Sequence, residues 1–459
     1  MGKHNKVKAL QYLLTRSQSA RILAVERVTG NDGRKTPGVD GQTWLTPEKR
    51  AAGLATLRIR GYRPKPLRRI YIPKKNGKKR PLGIPTMRDR AMQAIFLQAL
   101  DPVAETTADP NSYGFRRERA CADAISQCHQ ILAKRTSARW ILEGDIRACF
   151  DRIDHDWLLN NLPCGDKAIF RKWLESGCME SNVFHQTEEG PPQGGIISPV
   201  LANLALDGME RLLRENFSQS SRRAARNKVH LVRYADDFVI AGSTKELLET
   251  QVNPLIEQFL AVRGLELSQE KTIITHIKDG FDFLGQNVRR YNGKFITKPS
   301  KQNVATFLAN IREVVKGNKS AKAGNLVLLL NSKIKGWAMY HRYSCAKRTF
   351  ALVDNAIFKT LWQWCVRRHP GKGKRWIAQK YFTTVPGPVG GNHWVFFGEV
   401  ERKDGERRQA ILFAASRLRI RRRIKIRADV NPYAPRWAEY PERRHSREEY
   451  RSTPAPGSG

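Results

Sequence analysis

The amino-acid sequence predicts an α+β chain, and three observations carry that prediction. The stretch 68–85 reads as two strands about a turn at Asn76-Gly77, and the apolar runs at 140–146 and 231–240 have the length and residue types of strands. From about residue 298 helical periodicity dominates, and strand patterns vanish until about 393. From about 371 the chain is basic and irregular, a small region appended to the helices. At 459 residues there is room for two to four domains with sizeable cores.

Composition narrows the function classes. Lys and Arg number 82 against 43 acids, a net charge of +39. Such an excess repels itself in a compact fold unless a polyanion offsets it. The basic residues are spread along the chain among ten Trp and twelve Tyr, which suits a nucleic-acid groove with stacking platforms. No apolar run approaches the ~18–20 residues that span a bilayer, and no secretory signal opens the chain. The seven cysteines form no CxxC pair, so reduced thiols in a cytoplasm are expected, with Cys149 a packing residue rather than a nucleophile.

The elements follow in order. Residues 1 to about 30 are basic with helix-like spacing of Tyr12-Leu13-Leu14 and Ile22-Leu23-Ala24-Val25; a helical cap and an RNA-binding arm fit equally. Thr36-Pro37-Gly38-Val39-Asp40-Gly41 is a loop or turn. Residues 68–85 read as two strands turning at Asn76-Gly77, with a densely cationic turn. A helix is expected over Ala91–Leu100 and another over Cys121–Lys134. Ser112-Tyr113-Gly114-Phe115-Arg116 is short and aromatic. Trp140–Ile146 is a strand ending in Asp145, which a helix N-cap would also explain. Pro191-Pro192-Gln193-Gly194-Gly195 is a loop entering a helix near Ser198, its glycines allowing close backbone approach.

Leu231-Val232-Arg233-Tyr234-Ala235-Asp236-Asp237-Phe238-Val239-Ile240 carries the chemistry. Adjacent side chains on a strand point to opposite faces, so aiming both acids at one place needs a tight turn, a hairpin with Ala235-Asp236-Asp237 at its tip. Paired carboxylates repel unless a cation neutralises them. Oxygen ligands of this kind suit Mg²⁺, and two such ions clamp the attacking and leaving oxygens of a phosphoryl transfer. A solvated turn is the plain alternative; Asp145, a third acid at a strand end, favours the metal reading.

Asp145-Ile146-Arg147-Ala148-Cys149-Phe150-Asp151, then Pro192-Gln193-Gly194-Gly195-Ile196-Ile197-Ser198-Pro199, then Tyr234-Ala235-Asp236-Asp237 resemble reverse-transcriptase blocks in order and spacing. The surrounding sequence, roughly 36 to 440, is similar to reverse transcriptases encoded by bacterial group II introns. The resemblance implies a right-hand polymerase: fingers, a palm with an antiparallel sheet, a helical thumb, and a small basic C-terminal DNA-binding region. It places the N-terminal extension and fingers at 1–130, the palm with interleaved fingers elements at 131–297, the thumb or maturase region at 298–370, and the DNA-binding region with its tail at 371–459.

The resemblance also implies roles. Asp145, Asp236 and Asp237 would hold two Mg²⁺ ions, with Mn²⁺ as a substitute, and Ile146 would add its backbone carbonyl. Lys74 and Arg80, on the cationic hairpin, would hold the triphosphate, whose charge must be kept in line. Phe150 would lie under the sugar and block a ribose 2′-OH, against a core-packing reading from the residues alone. Gln193 would hydrogen-bond a sugar or base edge, and Lys271, after a helix over Lys245–Val262, would sit near nucleotide or primer. Asp279–Gly285 resembles the primer grip. Arg116 would contact phosphate.

Three helices, Val304–Val315, Gly324–Tyr340 and Thr349–Arg367, match the thumb, and the runs 336–343 and 362–370 carry that resemblance. Arg367 and Arg368 are expected on RNA, Trp337 and Trp362 in a core. Residues 417–427 hold seven Lys or Arg and no acid; Arg421, Arg422 and Arg423 are expected on nucleic acid. The alternation there leans to a strand and leaves a helix open. No Cys follows Cys365, so the Cys- and His-rich endonuclease domain of many relatives, and second-strand cleavage with it, is not expected.

The function so implied is an RNA-directed DNA polymerase that also binds its intron RNA as a maturase, assisting splicing and supporting intron mobility. Partners are the intron RNA, an RNA template with a DNA or RNA primer, target DNA and dNTPs, without a membrane; the setting is bacterial cytoplasm, bound to intron RNA or the nucleoid. The alternatives are an RNA-binding splicing cofactor with little polymerase role, and a reverse transcriptase domesticated for defence or another non-intron role.

Overall fold

A computed structural model describes residues 3–73, 79–180, 183–185, 194–386, 392–401 and 405–450. By its internal contacts the chain divides into two compact units, Met1–Thr275 with Ile426–Pro441, and His276–Lys425 with Glu442–Gly459. The four regions expected from sequence are distributed over these two units.

In the first unit, β1 (Leu67–Pro73) and β2 (Lys79–Ile84) pair antiparallel, as the alternation at 68–85 predicts. The turn between them, with Lys74, lies outside the described residues. The sheet is completed by the short strands Cys178–Glu180, parallel to β1, and Val183–His185. The central sheet contains β3 (Trp140–Asp145), β4 (His230–Tyr234), β5 (Asp237–Gly242) and β6 (Ile273–His276), in the order β4-β5-β3-β6. β4, β5 and β3 run antiparallel to their neighbours. Leu142, Leu231, Phe238 and Ile240 face a core shared with the helices Gln18–Thr29, Met87–Thr107 and Ser198–Leu206.

The helix expected over 91–100 is longer at both ends. Thr86 caps it by accepting from Asp89 N, and it runs on past Pro102 to Thr107. The helix expected over 245–262 is interrupted by a π turn at Leu248–Val252 before Pro254, whose ring nitrogen cannot donate to the preceding turn. At the N-terminus, the second helix buries Ala20, Ala24, Val25 and Val28, a cap on the unit, whereas the first, His4–Arg16, leaves Leu10 and Leu13 exposed.

Residues 426–441 return to this unit as a strap. Ile426 N donates to Asp123, Arg119 donates to the Val430 carbonyl, and the Tyr433 hydroxyl donates to Asp101; Ile426 and Val430 are buried.

The second unit has a three-stranded sheet of β7 (Phe281–Phe283), β8 (Gln286–Tyr291) and β9 (Lys294–Pro299), then helices Lys301–Gly317, Ala323–His341 and Lys347–Arg368. The three helices match the sequence periodicity. A second antiparallel sheet of β10 (Phe382–Val385), β11 (Asn392–Glu401) and β12 (Arg407–Ile411) begins about ten residues before strand patterns are legible in sequence. The helix Ala323–His341 rests directly on it: a Cβ on Gly324 would stand 2.2 Å from the Glu399 carbonyl. The basic run 418–427 is neither strand nor helix. It is irregular backbone tied down locally, by Arg421 N to the Arg342 carbonyl and Ile424 N to Glu448.

His341 joins three elements of this unit. It is fully buried, with Nδ1 2.8 Å from Gln286 Nε2 in β8 and Nε2 3.0 Å from Asn303 Oδ1 on Lys301–Gly317. Trp337 donates to the same Asn303 oxygen and stacks on Phe307, which makes the 336–343 aromatic run a packing device. Burial pushes the His341 imidazole down to about 4. The unfolded chain therefore takes up the proton first. Stability present above pH 6.5 is lost as pH falls through 6.5 towards 4. Between pH 7 and pH 5 this one group is expected to cost ~2 kcal/mol. Urea unfolding at both pH values checks it: the pH-dependent difference should shrink by about that amount in His341→Gln.

Candidate active site

The site is built on the facing ends of β3 and β5. In the antiparallel register Asp145 pairs with Asp237, and Tyr234 of β4 pairs with Asp237 across the hairpin, leaving Ala235-Asp236 as a two-residue turn. Ala235 takes the positive φ (+58°) that such a tight turn needs at its first position. Asp145, Asp236 and Asp237 thus occupy adjoining backbone positions at one end of the sheet. Asp237 is exposed at the strand end, yet partial desolvation by its neighbours and then the like charges of Asp236 and Asp145 push its carboxyl up to about 6 against the pull of Lys271.

Lys271 Nζ lies 2.8 Å from Asp145 Oδ2 and its own pKa is raised by that bond. Among the described residues no three His, Cys, Asp or Glu side chains stand as a ready-made metal cage. The donors nevertheless fit hard divalent ions: carboxylate oxygens only, under mutual repulsion, with a lysine as the counter-charge. Beyond Asp145, Ser268 N donates to the Asp145 carbonyl and Arg147 N to the Glu266 carbonyl; neither bond uses the Ile146 carbonyl.

A buried arginine that sequence reading passed over holds the hairpin. Arg233 is completely buried, pairs with Asp207, and donates to Asn203 Oδ1 (3.2 Å) and to the Ala235 carbonyl (3.3 Å). Asn203 in turn donates to the Gly114 carbonyl at 2.8 Å. Arg233 N and the Arg233 carbonyl bond Asn111 and Tyr113, so the 111–114 segment lies along β4. Burial, then the charge of Asp109, raises Asp207 to about 6 in spite of Arg233. The available signal was a charge inside an apolar strand, which must find a partner.

The other predicted residues divide. After β3, Ala148 turns with φ +47° into the short helix Cys149–Arg152, and Phe150 meets Phe115 edge-on at 6.3 Å. Cys149 is buried, its thiol pushed up to about 12 by burial and then by Asp236, consistent with packing. If Phe150 polices the sugar, Phe150→Ala should raise ribonucleotide relative to deoxynucleotide incorporation by ~10–100-fold in primer extension. Gln193 lies outside the described residues; the Gly194-Gly195 end of its loop is anchored by Ile196 N donating to Gln93 at 2.9 Å. Arg80 is described only as backbone, opposite Ile72.

Arg116 corrects its expectation. Its guanidinium is turned inward, bidentate to Glu105 (2.6 and 2.7 Å) and donating to the Asp109 and Ser112 carbonyls, so it braces a loop instead of facing phosphate. Arg368 is exposed but donates to the Ala321 carbonyl (2.6 Å), while Arg367 is exposed beside Arg312, Lys316 and Lys319 around a cavity of about 680 Å³. Arg423 pairs with Glu448 and is mostly buried; Arg422 is exposed.

Comparison with known proteins adds the following. A family model described as reverse transcriptase (RNA-dependent DNA polymerase) matches residues 72–288, one described as group II intron, maturase-specific domain matches 304–382, and one described as N-terminal domain of reverse transcriptase matches 1–57. The chain is 34% identical over 329 residues to protein YkfC of Escherichia coli (strain K12), covering 63% of this chain and 85% of YkfC. It is 31% identical over 357 residues to the group II intron-encoded protein LtrA of Lactococcus lactis subsp. cremoris, covering 64% of this chain and 59% of LtrA. A telomerase structure from Candida albicans, in complex with a fragment of telomeric RNA, aligns with TM-score 0.42 at 12% identity, covering 69% of this chain and 64% of that one.

Proposed function

Since the chain belongs to the reverse transcriptases encoded by group II introns, an RNA-directed DNA polymerase joined to a maturase domain, we propose that Asp145, Asp236 and Asp237 are its catalytic carboxylates. The carrying observation is the cross-strand pairing of Asp145 with Asp237, with Asp236 in the adjoining turn. Two Mg²⁺ ions, when bound, supply activation of the primer 3′-hydroxyl and charge stabilisation on the leaving pyrophosphate. Asp145 and Asp237 hold them from facing strands, Asp236 from the turn, and Ile146 through its carbonyl. Lys271 neutralises Asp145 in the ions' absence and is available to the triphosphate in their presence. Lys74, Arg80 and Gln193 complete the dNTP contacts, and Phe150 selects deoxyribose.

In the same reading the maturase region binds the intron RNA, with Arg367 on its backbone, and helps it fold for splicing. Arg422 serves a target-DNA contact in the basic C-terminal region. The setting is the bacterial cytoplasm; no helix among the described residues is long and apolar enough to cross a membrane.

The test is extension of a DNA primer on an RNA template with dNTPs and Mg²⁺. The reading expects extension by the wild-type chain and none by Asp145→Ala. A wild-type chain that binds RNA yet never extends the primer would leave only the splicing cofactor.

A further inference from the structure

The second unit contains a cavity of about 630 Å³ that the polymerase chemistry leaves unused, within the ~300–1,000 Å³ range of pockets for small organic groups. Its walls include Phe358 and Trp362 of the helix Lys347–Arg368, Trp394 of β11, and Phe413 just after β12. Trp394 is 52% exposed. It meets Trp362 at 5.9 Å with planes at 62°, and Phe382 at 6.2 Å and 53°. Neither is a parallel stack, so ring area stays open.

The backbone presents that ring at some strain. Trp394 has φ +66°, a conformation side-chain-bearing residues rarely adopt. It sits where the β10–β11 ladder shifts register between Thr383 and Val385, a bulge that takes its ring off the regular pleat. The charge around the cavity is positive. Lys374 lines it and is exposed, and Lys335 stands 5.7 Å from the Phe413 ring centre. Asp354, the acid among the described lining residues, is held by the backbone N–H groups of Ala415 and Ser416, both at 2.8 Å.

Open aromatic area beneath a cationic rim fits a planar base attached to a phosphate. We propose that this cavity receives an unpaired base of the RNA bound by the maturase domain. The base stacks on Trp394, and Lys374 holds a flanking phosphate. Structured RNA is read at loops and bulges whose splayed bases stack on aromatic rings. The helix that supplies Phe358 and Trp362 lies within the segment matched as maturase-specific, so the inference rests on the maturase reading.

The test uses the full chain and a short single-stranded RNA carrying 2-aminopurine, with an unlabelled RNA–DNA primer duplex occupying the polymerase site. Trp394→Gly removes the ring at a backbone angle glycine accepts freely, so folding is retained. Wild-type chain should quench 2-aminopurine; Trp394→Gly should lose the quench and weaken binding about tenfold, and Trp394→Phe should restore most of it. Equal quenching by wild type and Trp394→Gly, or equal binding of the same RNA in a duplex, overturns the proposal while the maturase reading stands. Failure of the wild-type chain to bind the RNA at all overturns both. A dimer in sedimentation that Trp394→Gly abolishes assigns the cavity to a second copy of the chain, and also overturns it.

Discussion

Asp236→Ala is expected to abolish primer extension, lowering the rate by at least ~10²–10³-fold, the scale of losing one preorganised electrostatic contact. It should do so without unfolding the chain. Asp236 occupies a turn whose conformation is set by Ala235 and Arg233, and its charge raises the carboxyl pKa of Asp237. Removing it relieves like-charge repulsion, so the melting temperature should hold or rise. With saturating template-primer and dNTP, the loss should fall on kcat. Activity within tenfold of wild type, alongside an unchanged melt, would show that the hairpin acids do not hold the reacting oxygens.

Gly114→Ala is expected to be nearly as damaging from a residue that carries no chemistry. A Cβ there would stand 2.3 Å from the Ala235 nitrogen and 2.9 Å from the Tyr234 carbonyl carbon. Both are backbone atoms and cannot rotate away, so the hairpin must retreat by roughly 1 Å to reach ordinary contact distance. A misplacement of that size costs on the order of 10²-fold in rate. The fold should survive, because the 111–114 segment keeps its bonds to Arg233. The measurement is single-turnover extension together with circular dichroism. A native spectrum with full activity would mean that the hairpin has slack the packing does not suggest.

The acids were legible because period-2 alternation assigns faces: once β3 and the 231–240 hairpin are strands, an acid at each end can meet across the sheet. What holds them was not. Arg233 finds Asp207 and Asn203 across 26 and 30 residues of chain, and no local pattern specifies such a partner. Arg116 shows the converse. A basic residue in a polymerase-like block reads as a phosphate contact until Glu105, 11 residues earlier and buried with it, is seen to take the charge. The run 418–427 alternates like a strand but has no ladder: Arg421 N goes to the Arg342 carbonyl, and Ile424 N, Ile426 N and Arg427 N go to the side chains of Glu448, Asp123 and Tyr440. The aromatic cavity joins residues 358, 394 and 413, which only the sheet brings together.

The strap at 426–441 means that order along the chain and membership of a compact body do not coincide. A polymerase fragment cut to end before the thumb, as sequence boundaries would suggest, loses the bonds that Tyr433, Val430 and Ile426 make to Asp101, Arg119 and Asp123. Anyone dissecting this chain should therefore add the strap as a separate peptide: rescue of a poorly soluble N-terminal piece by residues 426–441 in trans would be a direct signature of that discontinuity.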